Sequence, residues 1–143
     1  YGMHLGEEKG ITGPVRLGQN CLSHFTIRSL PMDRLSGIRW GKQLSAPNQP
    51  YIFRGSFVAQ AGIDAWLHTE GWGKGIAWVN GFCLGRYWET GPQMALYLPG
   101  DLLREKDNVL EVFEFHHPSK DLTIELIDHP ILDAPIRSVG MDF

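Results

Sequence analysis

The sequence predicts an all-β sandwich, and three observations point there. Strand-like runs recur about every 8 to 12 residues between Gly/Pro-rich turns, which is the spacing of sandwich strands. Asn80-Gly81 lies between two β-prone runs. That pair is the strongest short hairpin signal, because both residues accept the positive φ of a type I′ turn. Helix signals are nearly absent: only Asp101-Leu102-Leu103-Arg104-Glu105 reads as one helical turn, with Asp101 as its N-cap. About 8–9 antiparallel strands with little helix are expected.

The elements follow in order. Residues 22–27 read as a strand with Phe25 and Ile27 on one face, ended by Leu30-Pro31. Ser45, Pro47, Asn48, Gln49 and Pro50 mark a loop. Residues 51–60 alternate cleanly, with Tyr51, Phe53, Gly55, Phe57 and Ala59 opposite Ile52, Arg54, Ser56, Val58 and Gln60. Ala61-Gly62 turns the chain into a strand over 63–68, and the two runs are expected to form a hairpin or a corner. In the hairpin itself, Ile76 and Trp78 share one face and Ala77 and Val79 the other. Gly85 in the second strand signals a bulge or the close approach of a bulky neighbour such as a Trp. Gly91-Pro92 turns the chain into a strand over 94–98, which Pro99-Gly100 ends. Lys106-Asp107-Asn108 is a turn. Residues 109–115 form a strand with Val109, Phe113 and Phe115 opposite Leu110 and Val112, and 122–127 form another. Residues 133–143 read as a tail without clear periodicity. There is no internal repeat and no low-complexity segment.

A chain of 143 residues suits one domain over 1–143, burying about two-thirds of its unfolded surface. Hydrophobic content of 43% and charged content of 20% are those of a globular chain. A net charge of −3 leaves no electrostatic footprint for nucleic acid or an anionic membrane. No apolar run is long enough to span a bilayer, and no signal-peptide pattern opens the chain. Cys21 and Cys83 allow one disulfide, but both sit in apolar strand-like settings and read as buried free thiols.

Several pieces then recur in order: Lys9-Gly10-Ile11, Gly13-Pro14-Val15, Ser29-Leu30-Pro31-Met32, Arg54-Gly55-Ser56-Phe57, Gly71-Trp72-Gly73-Lys74-Gly75 and Val79-Asn80-Gly81. Leu84-Gly85-Arg86-Tyr87-Trp88, Gly91-Pro92-Gln93, Leu96-Tyr97-Leu98-Pro99 and the run 108–114 complete the set. In this order and spacing, over roughly residues 1–130, they closely resemble the C-terminal galactose-binding-like domain of the β-galactosidase family that includes lysosomal, plant and many bacterial exo-acting enzymes. Cys83 departs from that pattern, which tends to a polar residue such as Asn there, and so position 83 is a poor candidate for touching sugar.

The resemblance implies a jelly-roll sandwich that is a C-terminal piece of a larger enzyme. In that family both catalytic glutamates lie on an N-terminal (β/α)8 barrel, and nothing in this chain resembles one. A retaining glycosidase needs two carboxylates about 5 Å apart. Glu7 and Glu8 are adjacent in a turn-rich stretch, Glu111 and Glu114 lie on opposite faces of one strand, and Glu125 and Asp128 also differ by an odd number of positions. No catalytic residue is therefore expected here. No metal site is expected either: His116-His117 with His129 could be imagined as one, but adjacent strand residues point to opposite faces and make a poor chelate, and the two cysteines lack zinc-site spacing. Ser23-His24 has no activating context, and Gly71 to Gly75 lacks the Walker pattern of a phosphate loop. No cofactor is implied.

The aromatic residues of the hairpin region allow two readings. Trp72, Asn80, Arg86, Tyr87, Trp88 and Gln93 supply both the stacking faces and the polar groups that a sugar uses. Alternatively Trp66 and Trp78 fill the sandwich core while Trp72, Tyr87 and Trp88 pack against a neighbouring domain. Trp72, Arg86, Tyr87 and Trp88 are the candidates for contact with carbohydrate or another domain. The expected role is non-catalytic: the domain packs on the barrel and other β-domains of a retaining β-galactosidase and shapes the mouth of its active site. An autonomous galactoside-binding module is the alternative, and a spacer or oligomerisation domain a third. Compartment follows only from the resemblance: extracellular or periplasmic in bacteria, lysosomal in animals.

Overall fold

The computed structural model describes residues 6, 10–29, 31–32, 35–41 and 49–132. The chain divides into two compact units, Tyr1–Pro31 and Met32–Phe143. The expected tail at 133–143, the solvated Glu7 and Glu8, and most of the 45–50 loop lie outside the described residues.

The first unit carries one small hairpin, β1 (Arg16–Leu17) and β2 (Asn20–Cys21), turned by Gly18 at φ 60°. The strand expected over 22–27 does not form. His24 sits at φ 61°, which breaks an extended run, and only Leu22 continues the ladder, through its N–H to the Val15 carbonyl at 2.9 Å. Cys21 is therefore exposed rather than buried, whereas Cys83 is half-buried, and both are free thiols.

The second unit is the expected antiparallel sandwich. One sheet has the order β3 (Tyr51–Phe57), β8 (Asn108–Glu114), β5 (Lys74–Val79), β6 (Phe82–Trp88). The other has the order β7 (Ala95–Leu98), β4 (Ala65–His68), β9 (Glu125–Ile127). The runs on either side of Ala61-Gly62 thus form a corner, not a hairpin, because β3 pairs with β8 while β4 pairs with β7 and β9 in the other sheet. The helical turn shifts by one residue to Gly100–Leu102, and Asp101 lies inside it without capping; the backbone N–H of Leu103 closes it on the Gly100 carbonyl.

The β5–β6 hairpin forms as the Asn-Gly pair requires, with Asn80 at φ 52° and Gly81 at φ 83°. The register slips between Ala77 and Trp78, which leaves one extra residue in β6, and Gly85 takes φ 117° at that bulge. Gly85 is there for its backbone: nothing lies within 4 Å of where its Cβ would be, so it makes no room for a bulky neighbour.

Between the sheets, Ala77 and Val112 face Leu67 and Leu96, with Trp72 and Tyr87 completing the cluster. A second cluster of Val79, Leu98 and Leu103 extends it toward the helical turn, and Leu84 packs on both. Burying a side chain of this size stabilises the fold by about 1.5–3 kcal/mol. Two tryptophans expected in this core are elsewhere. Trp78 is fully buried, but it pairs with Glu111 and so lies on the outer face of the four-stranded sheet, where its indole N–H donates to the Met32 carbonyl at 3.1 Å. Trp66 lies on the outer face of the other sheet and packs on its cross-strand partner Tyr97 at 5.5 Å between rings.

Candidate functional site

The hairpin β5–β6 is rooted on one buried carboxylate. Glu114, at the end of β8, accepts five hydrogen bonds. Its Oε1 takes the backbone N–H groups of Lys74 (3.1 Å), His116 (2.6 Å) and His117 (3.2 Å); its Oε2 takes that of Gly73 (3.1 Å) and the hydroxyl of Tyr87 (2.8 Å). A carboxylate removed from water needs this many donors, because each unmet lone pair costs desolvation energy. Burial first, and then the hydrogen bond and charge of Glu114, push the Tyr87 phenol far above its usual range. Tyr87 therefore stays protonated and donating.

This arrangement sorts the four candidate contact residues. Trp72 and Tyr87 are each 2% exposed. Trp72 stands edge-on to Phe53 with ring centroids 5.2 Å apart and donates its indole N–H to the Thr123 carbonyl at 2.7 Å. Gly75 lets the chain pass tightly by the Tyr87 ring: a Cβ there would collide with the Phe113 carbonyl oxygen and that ring, and one on Gly73 would meet His116 and Glu114. Arg86 and Trp88 alternate with Tyr87 and point the other way. Arg86 is exposed, Trp88 is 46% exposed, and Lys74 lies over the Trp88 ring with its ammonium 4.3 Å from the centroid. Lys74, Arg86 and Trp88 thus form a cationic and aromatic patch on the outer face of the sheet. Cation–π contact of this kind holds a ring in place with about 0.5–1 kcal/mol at an exposed site.

Asn80 does more than turn the hairpin. Its Nδ2 donates to the Leu102 carbonyl (2.7 Å) and to Asn108 Oδ1 (2.9 Å), and its Oδ1 accepts the Val109 N–H (2.9 Å). Gln93 donates to the Ala95 carbonyl within its own turn at 3.1 Å. With both ends of its amide engaged, Asn80 is not available as a free sugar-binding group.

The carboxylates of β8 do not converge. Glu111 accepts the Arg54 guanidinium at 2.7 and 3.1 Å on the outer face, with Arg54 also stacked 4.5 Å from the Trp40 ring, while Glu114 faces inward. Among the described residues, no group of three His, Cys, Asp or Glu side chains is placed to hold a metal ion. His117 lies 3.7 Å from Glu89, and His129 pairs with the adjacent Asp128 at 2.7 Å.

Two concave features escape a reading of the sequence. One is a polar cavity of about 650 Å³ lined by His68, Glu70, His117, Lys120, Asp121 and Glu125. The other, about 560 Å³, is apolar and lined by Phe53, Phe57, Val58, Leu122, Ile124 and Leu126, with Trp72 also reaching it. Both gather residues far apart in sequence, and so no local motif announces them.

Residues 50–108 match the family model described as β-galactosidase, galactose-binding domain. β-Galactosidase 8 of rice (Oryza sativa subsp. japonica) is 47% identical over 91% of this chain and 24% of its own length. The human β-galactosidase-1-like protein 2 is 38% identical over 80% of this chain and 19% of its own length. The dog β-galactosidase is 30% identical over 94% of this chain and 24% of its own length. The chain thus spans a fifth to a quarter of the relatives it resembles. The matched segment 50–108 contains the strands β3 to β7, the β5–β6 hairpin among them, and over it this chain is similar to the galactose-binding domain of β-galactosidases.

Proposed function

We propose that this chain is the C-terminal, non-catalytic domain of a β-galactosidase that hydrolyses terminal β-galactosides with retention. It packs on the catalytic barrel and neighbouring β-domains and shapes the substrate entrance. The observation that supports this most is the use made of the two β8 carboxylates. Glu111 is held by Arg54 and Glu114 by five donors, and neither is free to attack or protonate a glycosidic bond. Arg86 and Trp88, with Lys74, are the surface through which the domain touches its surroundings; Trp72 and Tyr87 act from inside by holding the hairpin that presents them. The test is an assay of residues 1–143, shown to be β-rich by circular dichroism, against a nitrophenyl β-galactoside. No hydrolysis is expected. Turnover that disappears in Glu125→Gln or Glu70→Gln would overturn the reading.

A second reading rests on the exposed Trp88 ring, which carries Lys74 over it. There the patch binds a galactoside directly, with the sugar stacked on Trp88. Titration of galactose into the domain distinguishes them: a saturable indole shift abolished by Trp88→Ala favours a sugar site, and no change at high millimolar galactose favours packing.

A further inference from the structure

Among the described residues, one sheet of the sandwich has one strand fewer than the other. In the four-stranded sheet the order is β3-β8-β5-β6, and in the facing sheet it is β7-β4-β9. The shared core of Ala77, Tyr87, Leu67, Leu96 and Val112 sets β6, β5 and β8 against β7 and β4, and β9 extends the facing sheet as its edge beyond β4. No described strand lies opposite β3. The apolar groove of about 560 Å³ opens there, between the inner faces of β3 and β8 and the free edge of β9. Its rim holds Val58 at 76% and Leu122 at 51% exposure, more apolar surface than a finished sandwich leaves at its edge. Gly55 sits on the inner face of β3, paired with Leu110, and nothing lies within 4 Å of where its Cβ would be. Unlike Gly85, Gly55 sits at no bulge and has no positive φ, and the remaining use of a strand glycine is to let another chain segment come close.

We infer that this groove receives an extended strand from the part of the parent polypeptide outside residues 1–143, laid beside β9 and opposite β3. The inference rests on the proposed role as a domain of a longer β-galactosidase. β9 is an edge strand, and an added strand pairs with the main-chain groups along such an edge in register, which a helix does not. The apolar lining asks for alternate apolar side chains on that strand, one of them over Gly55. Relatives four to five times longer than this chain have ample sequence to supply it.

The experiment is photo-crosslinking in the full-length parent enzyme, with benzoylphenylalanine in place of Val58 and, separately, of Arg86. The expected product from Val58 is an intramolecular link to a single segment outside 1–143 with apolar residues at alternate positions. Gly55→Leu, whose side chain occupies the seat, should lower that yield severalfold. Links from Val58 to residues 133–143 or to a second copy, or an unchanged yield in Gly55→Leu, overturn the inference. No link from Val58 alongside a link from Arg86 to another domain overturns the groove but leaves domain packing standing. No intramolecular link from either position overturns both.

Discussion

Gly75 and Gly55 lie on the inner face of the same four-stranded sheet, two strands apart, and their surroundings are opposite. At Gly75 a Cβ would overlap the Phe113 carbonyl oxygen and the Tyr87 ring, at the root where Glu114 collects its five donors. At Gly55 the space is open. One glycine is needed because the packing around it is complete; the other faces open space. The same residue type in the same kind of strand therefore marks a rigid anchor in one place and room for a side chain in the other.

The largest effect should come from breaking the anchor. Gly75→Ala forces backbone apart from backbone, because the obstructing Phe113 oxygen cannot swing aside, and should cost about 3 kcal/mol or more in denaturant unfolding. Gly55→Ala should instead raise stability by up to about 1 kcal/mol, since it reduces the freedom of the unfolded chain without a clash. Equal effects at the two positions would erase the distinction between them.

Glu114→Gln tests the anchor through its hydrogen bonds. The amide nitrogen would replace an acceptor and face N–H groups that then lack a partner, at a cost of about 2–4 kcal/mol. Tyr87→Phe removes one donor of five and leaves the rest, so about 1 kcal/mol is expected. If the two substitutions cost the same, Glu114 is not the hub.

The difference between these regions also explains what could be read from the sequence. The anchor is local. Asn80-Gly81 and the alternation over 76–79 place the hairpin and its faces correctly, and Gly85 marks the bulge. What escaped is long-range. Whether Trp72 and Tyr87 face in or out depends on Glu114, 27 positions from Tyr87, and on Thr123, 51 from Trp72. Alternation shows that Tyr87 and Trp88 oppose each other but not which face is inner, so the interior Trp72 and Tyr87 stood beside the exposed Arg86 and Trp88 as equal candidates. The same holds for Trp78: it is buried on the outer face, where its indole N–H meets the Met32 carbonyl 46 positions away. The groove has no local sign except Gly55, which alone reads as an ordinary strand glycine.

The smallest effect separates both regions from a third contact that is fully exposed. Asp64 accepts the Gly100 N–H at 2.8 Å and the Tyr97 hydroxyl at 2.7 Å, tying the start of β4 to the end of β7. The Gly100 N–H first, and then the Tyr97 hydroxyl, hold its carboxyl below the ordinary value. The folded state therefore binds that proton less readily than the unfolded chain does. The contribution of Asp64 is complete above the unfolded value of about 3.9 and disappears as pH falls through the lower folded value. Asp64→Asn should accordingly melt slightly below the wild type at neutral pH, by a gap that closes under acid conditions. Because the group is solvated, added salt should shrink the gap as well. By contrast, the deficit of Glu114→Gln should resist salt, since its donors are backbone N–H groups inside the fold. A gap for Asp64→Asn that persists unchanged in acid, once the folded-state carboxyl is protonated, would show that the contact acts through shape rather than charge.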